Sequence, residues 1–199
     1  MRRLVVIAAI VVAGCGSTES GVTLTVLAHE SFTPSAGIFD EFTAETGIQV
    51  EVIAAGDAGS MVTKATLTSG NPEGDVMWGI DNTLLSRALE ADVFTPYASP
   101  LLESIDPTLL DGVFGNEVTP VDTGDVCINY DIEWFATRGI DPPSTLRDLI
   151  DPRLEGLLVV QSPLESSPGF AFLLAKIDEF GEDGWRGYWE SLRDNDVLV

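Results

Sequence analysis

Val22-Thr-Leu-Thr-Val-Leu-Ala28, Ile48-Gln-Val-Glu-Val-Ile53 and Asp75-Val-Met-Trp-Gly-Ile80 are the three stretches that decide the fold. Each is short, apolar or β-branched, and bounded by turn-forming residues, which is the signature of a strand. The segments between them have helical period instead. Ile38, Phe39, Phe42 and Ala44 fall on one helical face, and Gly47 closes that segment. Met61, Ala65 and Leu67 mark a helix over Ser60–Thr68, stopped by Ser69-Gly70-Asn71-Pro72. Asp81-Asn82 caps a third helix through Leu84, Leu85, Ala88 and Leu89. Strand and helix alternating three times predicts an α/β fold with a parallel sheet and helical crossovers.

Beyond Pro96 the pattern loosens. Residues 97–118 read as loop with one short helical piece. Residues 118–130 read as extended strands, antiparallel, with Gly124 permitting a bend. Pro142-Pro143-Ser144 introduces a helix over Thr145–Ile150, and Gly156-Leu-Leu-Val-Val160 reads as a buried strand. Ser166-Ser167-Pro168-Gly169 opens a helix through Phe172, Leu173, Ala175 and Ile177, with capping by Ser167. Trp185–Leu192 is a further helix. Val197-Leu-Val199 starts a strand, and stopping on an apolar strand suggests a sequence cut short.

The first 15 residues have a different logic. Arg2 and Arg3 precede an uncharged run, Leu4–Val12, and then Ala13-Gly14-Cys15. This is a signal peptide, with an apolar run far shorter than the ~20 residues that span a bilayer. Val12-Ala13-Gly14-Cys15 resembles a bacterial lipobox, which implies cleavage before Cys15 and a lipid on its sulfur. An ordinary secretory signal with an incidental cysteine is the alternative. Residues 16–21 are polar and suit a tether, and the lipid would hold the protein at an extracytoplasmic membrane surface, or in a periplasm, without a spanning helix.

The 199-residue chain is 45% hydrophobic, which is ordinary for a globular protein, but its charge is not. Ten Lys+Arg stand against 32 Asp+Glu, a net charge of -22. Nucleic acid is therefore a poor partner, since phosphate binding needs a basic face. The acidity would draw in a cationic ligand, or reflects solubility alone. Cys127, in an apolar alternating run, reads as a small buried side chain. No Gly-x-Ser-x-Gly elbow, Cys-x-x-Cys, His-Glu-x-x-His or phosphate loop is present, so no enzyme is expected. One histidine cannot make a metal site by itself, and no cofactor is expected.

The order of several short motifs resembles the extracytoplasmic substrate-binding proteins of ABC importers, in the group that handles thiamine, ferric iron and polyamines. The motifs are Phe39-x-x-Phe42 with Thr46-Gly47-Ile48-x-Val50, Gly74-Asp75-Val76, Pro143-x-Thr145-x-x-Asp148-Leu149-x-Asp151-Pro152, Gly156 and Pro163. Glu30-Ser31-Phe32, Gly79-Ile80-Asp81-Asn82-x-Leu84-Leu85, Pro120-x-Asp122-x-Gly124 and Gln161-x-Pro163-x-x-Ser166-Ser167-Pro168-Gly169 make the resemblance closest to thiamine-binding members. The resemblance implies a type II periplasmic-binding-protein-like fold: a first α/β lobe over residues 22–120, then hinge strands and an incomplete second lobe over 121–199. It implies a monomer that binds thiamine or its phosphate esters and delivers them to a membrane permease. A ferric-iron or polyamine binder is the alternative in the same group, and a fragment without autonomous binding is another.

The candidate ligand residues cluster at element ends. Asp57 lies after the second strand, at the C-terminal edge of a parallel sheet where ligands bind, and also suits an N-cap. The resemblance implies that Asp57 and Ala58 touch thiamine, and a carboxylate suits both a thiazolium charge and an amine donor. It also implies contact from the turn at Ser166 and Ser167, where a helix N-terminus favours an anion. Asp81 caps a helix or lines the cleft. His29, in the first loop where a relative has Tyr, is a further candidate, with a loop-surface role as the alternative. Trp78, Trp134, Trp185, Trp189, Tyr97 and Tyr130 read as core.

Overall fold

The computed structural model describes residues 21–110 and 115–199. The expected signal peptide with Cys15, and all of the expected tether but Gly21, lie outside the described residues. Strands β1 (Thr23–Ala28), β2 (Gln49–Ala54) and β3 (Val76–Trp78) form a parallel sheet in the order β2-β1-β3. Thr23 pairs with Gln49 and Ala28 with Ala54 on one side, and Val26 pairs with Val76 and Ala28 with Trp78 on the other. The central strand is the most buried, with Val26, Leu27 and Ala28 all inside. Asp75 starts β3 by exchanging bonds with Thr25: the Thr25 N–H donates to Asp75 Oδ2, and the Asp75 N–H donates to the Thr25 carbonyl, each at 2.8 Å.

Helix α1 (Asp40–Thr46) crosses from β1 to β2 and stops at Gly47 as expected, and α2 (Ala58–Leu67) returns to β3. The α2 helix seals one face of the sheet with Met61, Val62 and Ala65, whereas Leu67 is turned outward and exposed. Helix α3 (Leu85–Glu90) follows a turn held by Asp81, whose Oδ1 accepts from the N–H of Thr83 and of Leu84. Residues 97–110 hold two short 3-10 turns, Leu102–Ser104 and Pro107–Leu110.

Residues 118–130 do not form the expected strand pair. They carry no ladder bonds, and Val121, Val126, Ile128 and Tyr130 are exposed. Alternation marks a segment that can pair, but a strand also needs a neighbour, and none of the described residues runs beside this one. Cys127 is exposed for the same reason, against its expected burial. Tyr97 is exposed as well.

After helix α4 (Ile132–Arg138), the rest of the chain packs into a second core. The expected helix after Pro142-Pro143-Ser144 is present as a 3-10 helix, Leu146–Ile150, fixed by a capping box between Thr145 and Asp148. Backbone N–H groups of Ser144 and Thr145 hold the Asp148 carboxyl down at about 2. The long helix α5 (Ser167–Asp194) merges the two expected helices across a break at Gly181. Its apolar side and the 3-10 helix enclose Leu149, Val160, Phe172, Tyr188 and Leu192. The expected strand over 156–160 is reduced to one parallel bridge, Val159 to Leu198, which joins it to the 197–199 segment. Val160 faces the core and Val159 is exposed, so only one side of this segment is covered.

The two packed regions meet at the start of α2. The Gly59 N–H donates to the Glu165 carbonyl at 2.7 Å, and a Cβ on Gly59 would lie 2.6 Å from the Leu164 carbonyl oxygen. Only glycine lets the N-terminus of α2 approach the 162–166 turn this closely.

Lys176 is fully buried in the second core, its ammonium over the rings of Trp189 (3.1 Å) and Phe172 (4.2 Å), with no hydrogen-bond acceptor among the described residues. Burial pulls its pKa from 10.5 down to about 7. Between those values the unfolded chain holds a proton that the folded chain has released, so stability rises with pH across that window and is flat below it. Lys176→Met should therefore flatten the rise in melting temperature between pH 7 and pH 10, and raise the melting temperature at pH 7 by about 5 °C, the shift that ~2 kcal/mol gives in a chain of this size. Thermal melts of both proteins across that range check this.

Candidate functional site

The sheet ends its strands at one edge, and the site is there. In the order β2-β1-β3, the connection after β1 leaves toward β2 while the chain after β3 leaves on the other side. A crevice opens outside the carboxyl ends of strands at such a switch point. Here it is a cavity of about 820 Å³ whose walls come from four segments: residues 29–34 after β1, Asp57 and Ala58 after β2, residues 78–81 at the end of β3, and the turn into α5.

All six sequence-predicted ligand residues, His29, Asp57, Ala58, Asp81, Ser166 and Ser167, line this one cavity. Asp57 is both a cap and a wall. Its Oδ1 accepts from the Ser60 N–H at 2.8 Å as the N-cap of α2, and its Oδ2 has no hydrogen bond among the described residues. Ala58 is the buried first residue of that helix. Asp81 Oδ1 is taken by Thr83, whose hydroxyl donates to it at 2.7 Å and whose N–H donates at 3.0 Å. His29 is half-buried, and its Nδ1 accepts from the Ser31 N–H at 3.0 Å. Gly79, at φ +104, backs onto it; a Cβ there would stand 2.8 Å from His29 Cβ.

The serines divide their work differently from the expected capping by Ser167. Ser166 is the cap: its Oγ accepts from the Gly169 N–H at 3.3 Å and donates to Gln161 Oε1. Ser167, the first helical residue, is 8% exposed, and its Oγ has no partner among the described residues. A buried hydroxyl without a partner costs about 1–3 kcal/mol, so a ligand atom that pairs with it is favoured. At the start of α5 the Gly169 N–H is taken by Ser166 Oγ, the Phe170 N–H by the Ser166 carbonyl, and Pro168 has none, so the Ser167 N–H and the positive end of the helix dipole are what this end offers among the described residues.

The cavity also holds residues that the sequence reading placed elsewhere or passed over. Trp78, expected in the core, is 37% exposed and packs against Phe32 with ring centroids 5.2 Å apart. Glu30 and Gln161 line the cavity too. The signal for them was available: Glu30 and Phe32 follow β1, and Trp78 ends β3, at the same sheet edge that selected Asp57 and Asp81. Three carboxylates, from Glu30, Asp57 and Asp81, face the cavity, and no Lys or Arg lines it. Such a lining favours a cationic ligand with a flat apolar part, and the α5 end can hold a neutral or anionic group.

Comparison with known proteins agrees with this architecture. A family model described as bacterial extracellular solute-binding protein matches residues 73–199. The chain is 25% identical over 181 residues to the thiamine-binding periplasmic protein of Escherichia coli (strain K12), covering 88% of this chain and 53% of that protein. Among solved structures, the periplasmic binding protein P5PA aligns with a TM-score of 0.70 at 19% identity, over 89% of this chain and 57% of that one. A periplasmic thiamin binding protein aligns with a TM-score of 0.67 at 20% identity, over 90% and 55%. At these identities the structural matches show the fold alone, that of the periplasmic binding proteins. The chain spans about half the length of the curated relatives it matches. The matches are to solute-binding proteins, not enzymes. The match of that family model to residues 73–199, well over half of the chain, places the chain in the bacterial extracellular solute-binding protein family.

Proposed function

We propose that this protein binds thiamine, or a thiamine phosphate ester, outside the cytoplasm and delivers it to an ABC permease. The observation that carries the reading is the cavity lining: three carboxylates, no cation among the described residues, an aromatic pair, and a Ser167 hydroxyl without a partner at the start of α5. Thiamine carries a fixed positive charge on a flat thiazolium, an exocyclic amine on its pyrimidine, and a hydroxyethyl arm that phosphorylation makes anionic. The Oδ2 of Asp57 is placed to accept from the amine or to neutralise the ring charge. Asp81 and Glu30 add to the negative field, and a formal net charge of -22 steers a cation inward at low salt. The Ser167 hydroxyl and the positive end of the α5 dipole suit the hydroxyl or phosphate of the arm. His29 and Ala58 close the wall around them. The thiamine-binding proteins among the relatives support this choice within the family.

The lipid anchor belongs to the same reading. A sulfur-linked lipid on Cys15 and the polar run after it would keep the binding protein beside its permease as a monomer. Cys15→Ser should move the protein from the membrane fraction to the soluble extracytoplasmic fraction and abolish labelling with radioactive palmitate. Persistence in the membrane fraction would remove the anchor from the account.

Isothermal titration of the full-length protein with thiamine should give tight one-to-one binding. Asp57→Asn separates the two duties of this residue, because asparagine caps a helix as well as aspartate does but carries no charge. The expected result is thiamine binding weakened about tenfold, near 1.4 kcal/mol, at an unchanged melting temperature. No heat with thiamine, together with tight binding of Fe(III), would replace this reading with iron transport.

A further inference from the structure

We propose that Trp78 is the platform on which the cationic ring of the ligand stacks, so that the bound ligand supplies the cation that this tryptophan lacks. The inference rests on the thiamine reading for its probe, and on the arrangement of tryptophans and cations for its argument. The chain has four tryptophans and few cations, and it uses the cations in a consistent way. The Arg138 guanidinium lies 4.1 Å from the Trp134 ring centroid, Arg186 lies 4.4 Å from Trp185, and the Lys176 ammonium lies 3.1 Å from Trp189. Three tryptophans thus have a cation of their own chain over the ring. Among the described residues, no Lys or Arg lies over Trp78.

Position and surroundings complete the case. Trp78 ends β3 at the switch point, and its backbone is fixed by the bond from the His29 N–H to the Trp78 carbonyl at 3.1 Å. Phe32 leans on the indole at a 42° tilt, which holds the ring while leaving it 37% exposed on the cavity side. Gly79, next in the chain, adds no side chain to cover it. An indole is the strongest of the aromatic cation acceptors, and the attraction grows when the cation is desolvated. Glu30, Asp57 and Asp81 in the same lining supply the compensating negative charge. The ligand class that satisfies both halves is a cationic nitrogen heteroaromatic ring. A small aliphatic ammonium would meet the charge without filling the flat face.

Two Trp78 variants and three probes test this by titration calorimetry and tryptophan fluorescence. Trp78→Ala should weaken thiamine binding about tenfold, within the range expected for a desolvated cation–π contact, and Trp78→Phe should recover much of that loss. Thiamine should quench the wild-type emission and leave that of Trp78→Phe almost unchanged. 3-Deazathiamine, which keeps the shape but loses the ring charge, should bind the wild type more weakly and discriminate less between wild type and Trp78→Ala. Thiamine binding within twofold of wild type in Trp78→Ala would overturn the inference and leave the thiamine reading intact. If thiamine does not bind but 1-methylnicotinamide, a pyridinium cation, quenches the wild type and not Trp78→Phe, the thiamine reading falls and the stacking platform stands. If neither thiamine nor 1-methylnicotinamide binds, both fall.

Discussion

The Gly59 N–H donates to the Glu165 carbonyl where two backbones touch with no side chain between them. The rest of the site depends on that approach. It brings the start of α2 against the turn that leads into α5, so Asp57 and Ala58 come to share a cavity with Ser166 and Ser167. A second close approach supports the first: a Cβ on Gly169 would lie 2.5 Å from the Gln161 carbonyl oxygen, so the turn is folded back on the first turn of α5. Two helix N-termini therefore converge on the cleft. Each is capped from within the chain, by Asp57 and by Ser166, which leaves the Asp57 Oδ2 and the Ser167 hydroxyl without partners.

The charge pattern has a similar economy. Lys64 pairs with Glu73 at 2.5 Å, Arg147 with Glu179 at 3.3 Å and Arg193 with Asp194 at 3.1 Å. Arg153 grips Asp151 through its Nε and Nη2 atoms. Exposed pairs of this kind contribute about 0–1 kcal/mol each, so they do not hold the fold together. Their effect, with the cations laid over Trp134, Trp185 and Trp189, is to occupy the few positive groups away from the cleft. The cavity is left with carboxylates alone, which is what a cationic solute needs. Lys176 is the cost of this arrangement, an ammonium kept without an acceptor inside the second core.

Much of the sheet and its edge could be read from the amino acids because local rules and tertiary structure agree there. β1 and β2 show their alternation, Gly47 stops α1, and Asp57 caps α2, so the strand ends could be placed and the candidate residues found at them. The family resemblance added Ser166 and Ser167, which no period in the sequence ties to the first sheet. The errors came where a pattern needs a partner that lies elsewhere. Residues 118–130 alternate well, yet remain unpaired among the described residues, and Cys127 goes with them into solvent. Val159 and Leu198 make one bridge instead of a strand pair. Trp78 fell on a strand pattern that reads as core, but the last residue of this strand borders the cavity at the sheet edge and not the sheet interior.

Amide hydrogen exchange, read by mass spectrometry with and without thiamine, tests the central claim that the start of α2 and the turn into α5 form one joint that carries the site. The account predicts slow exchange at Gly59 in the free protein, and added protection on thiamine binding over residues 57–60 and 161–169 together, with the loop after β1. Fast exchange at Gly59, or protection of only one of those two segments, would contradict it.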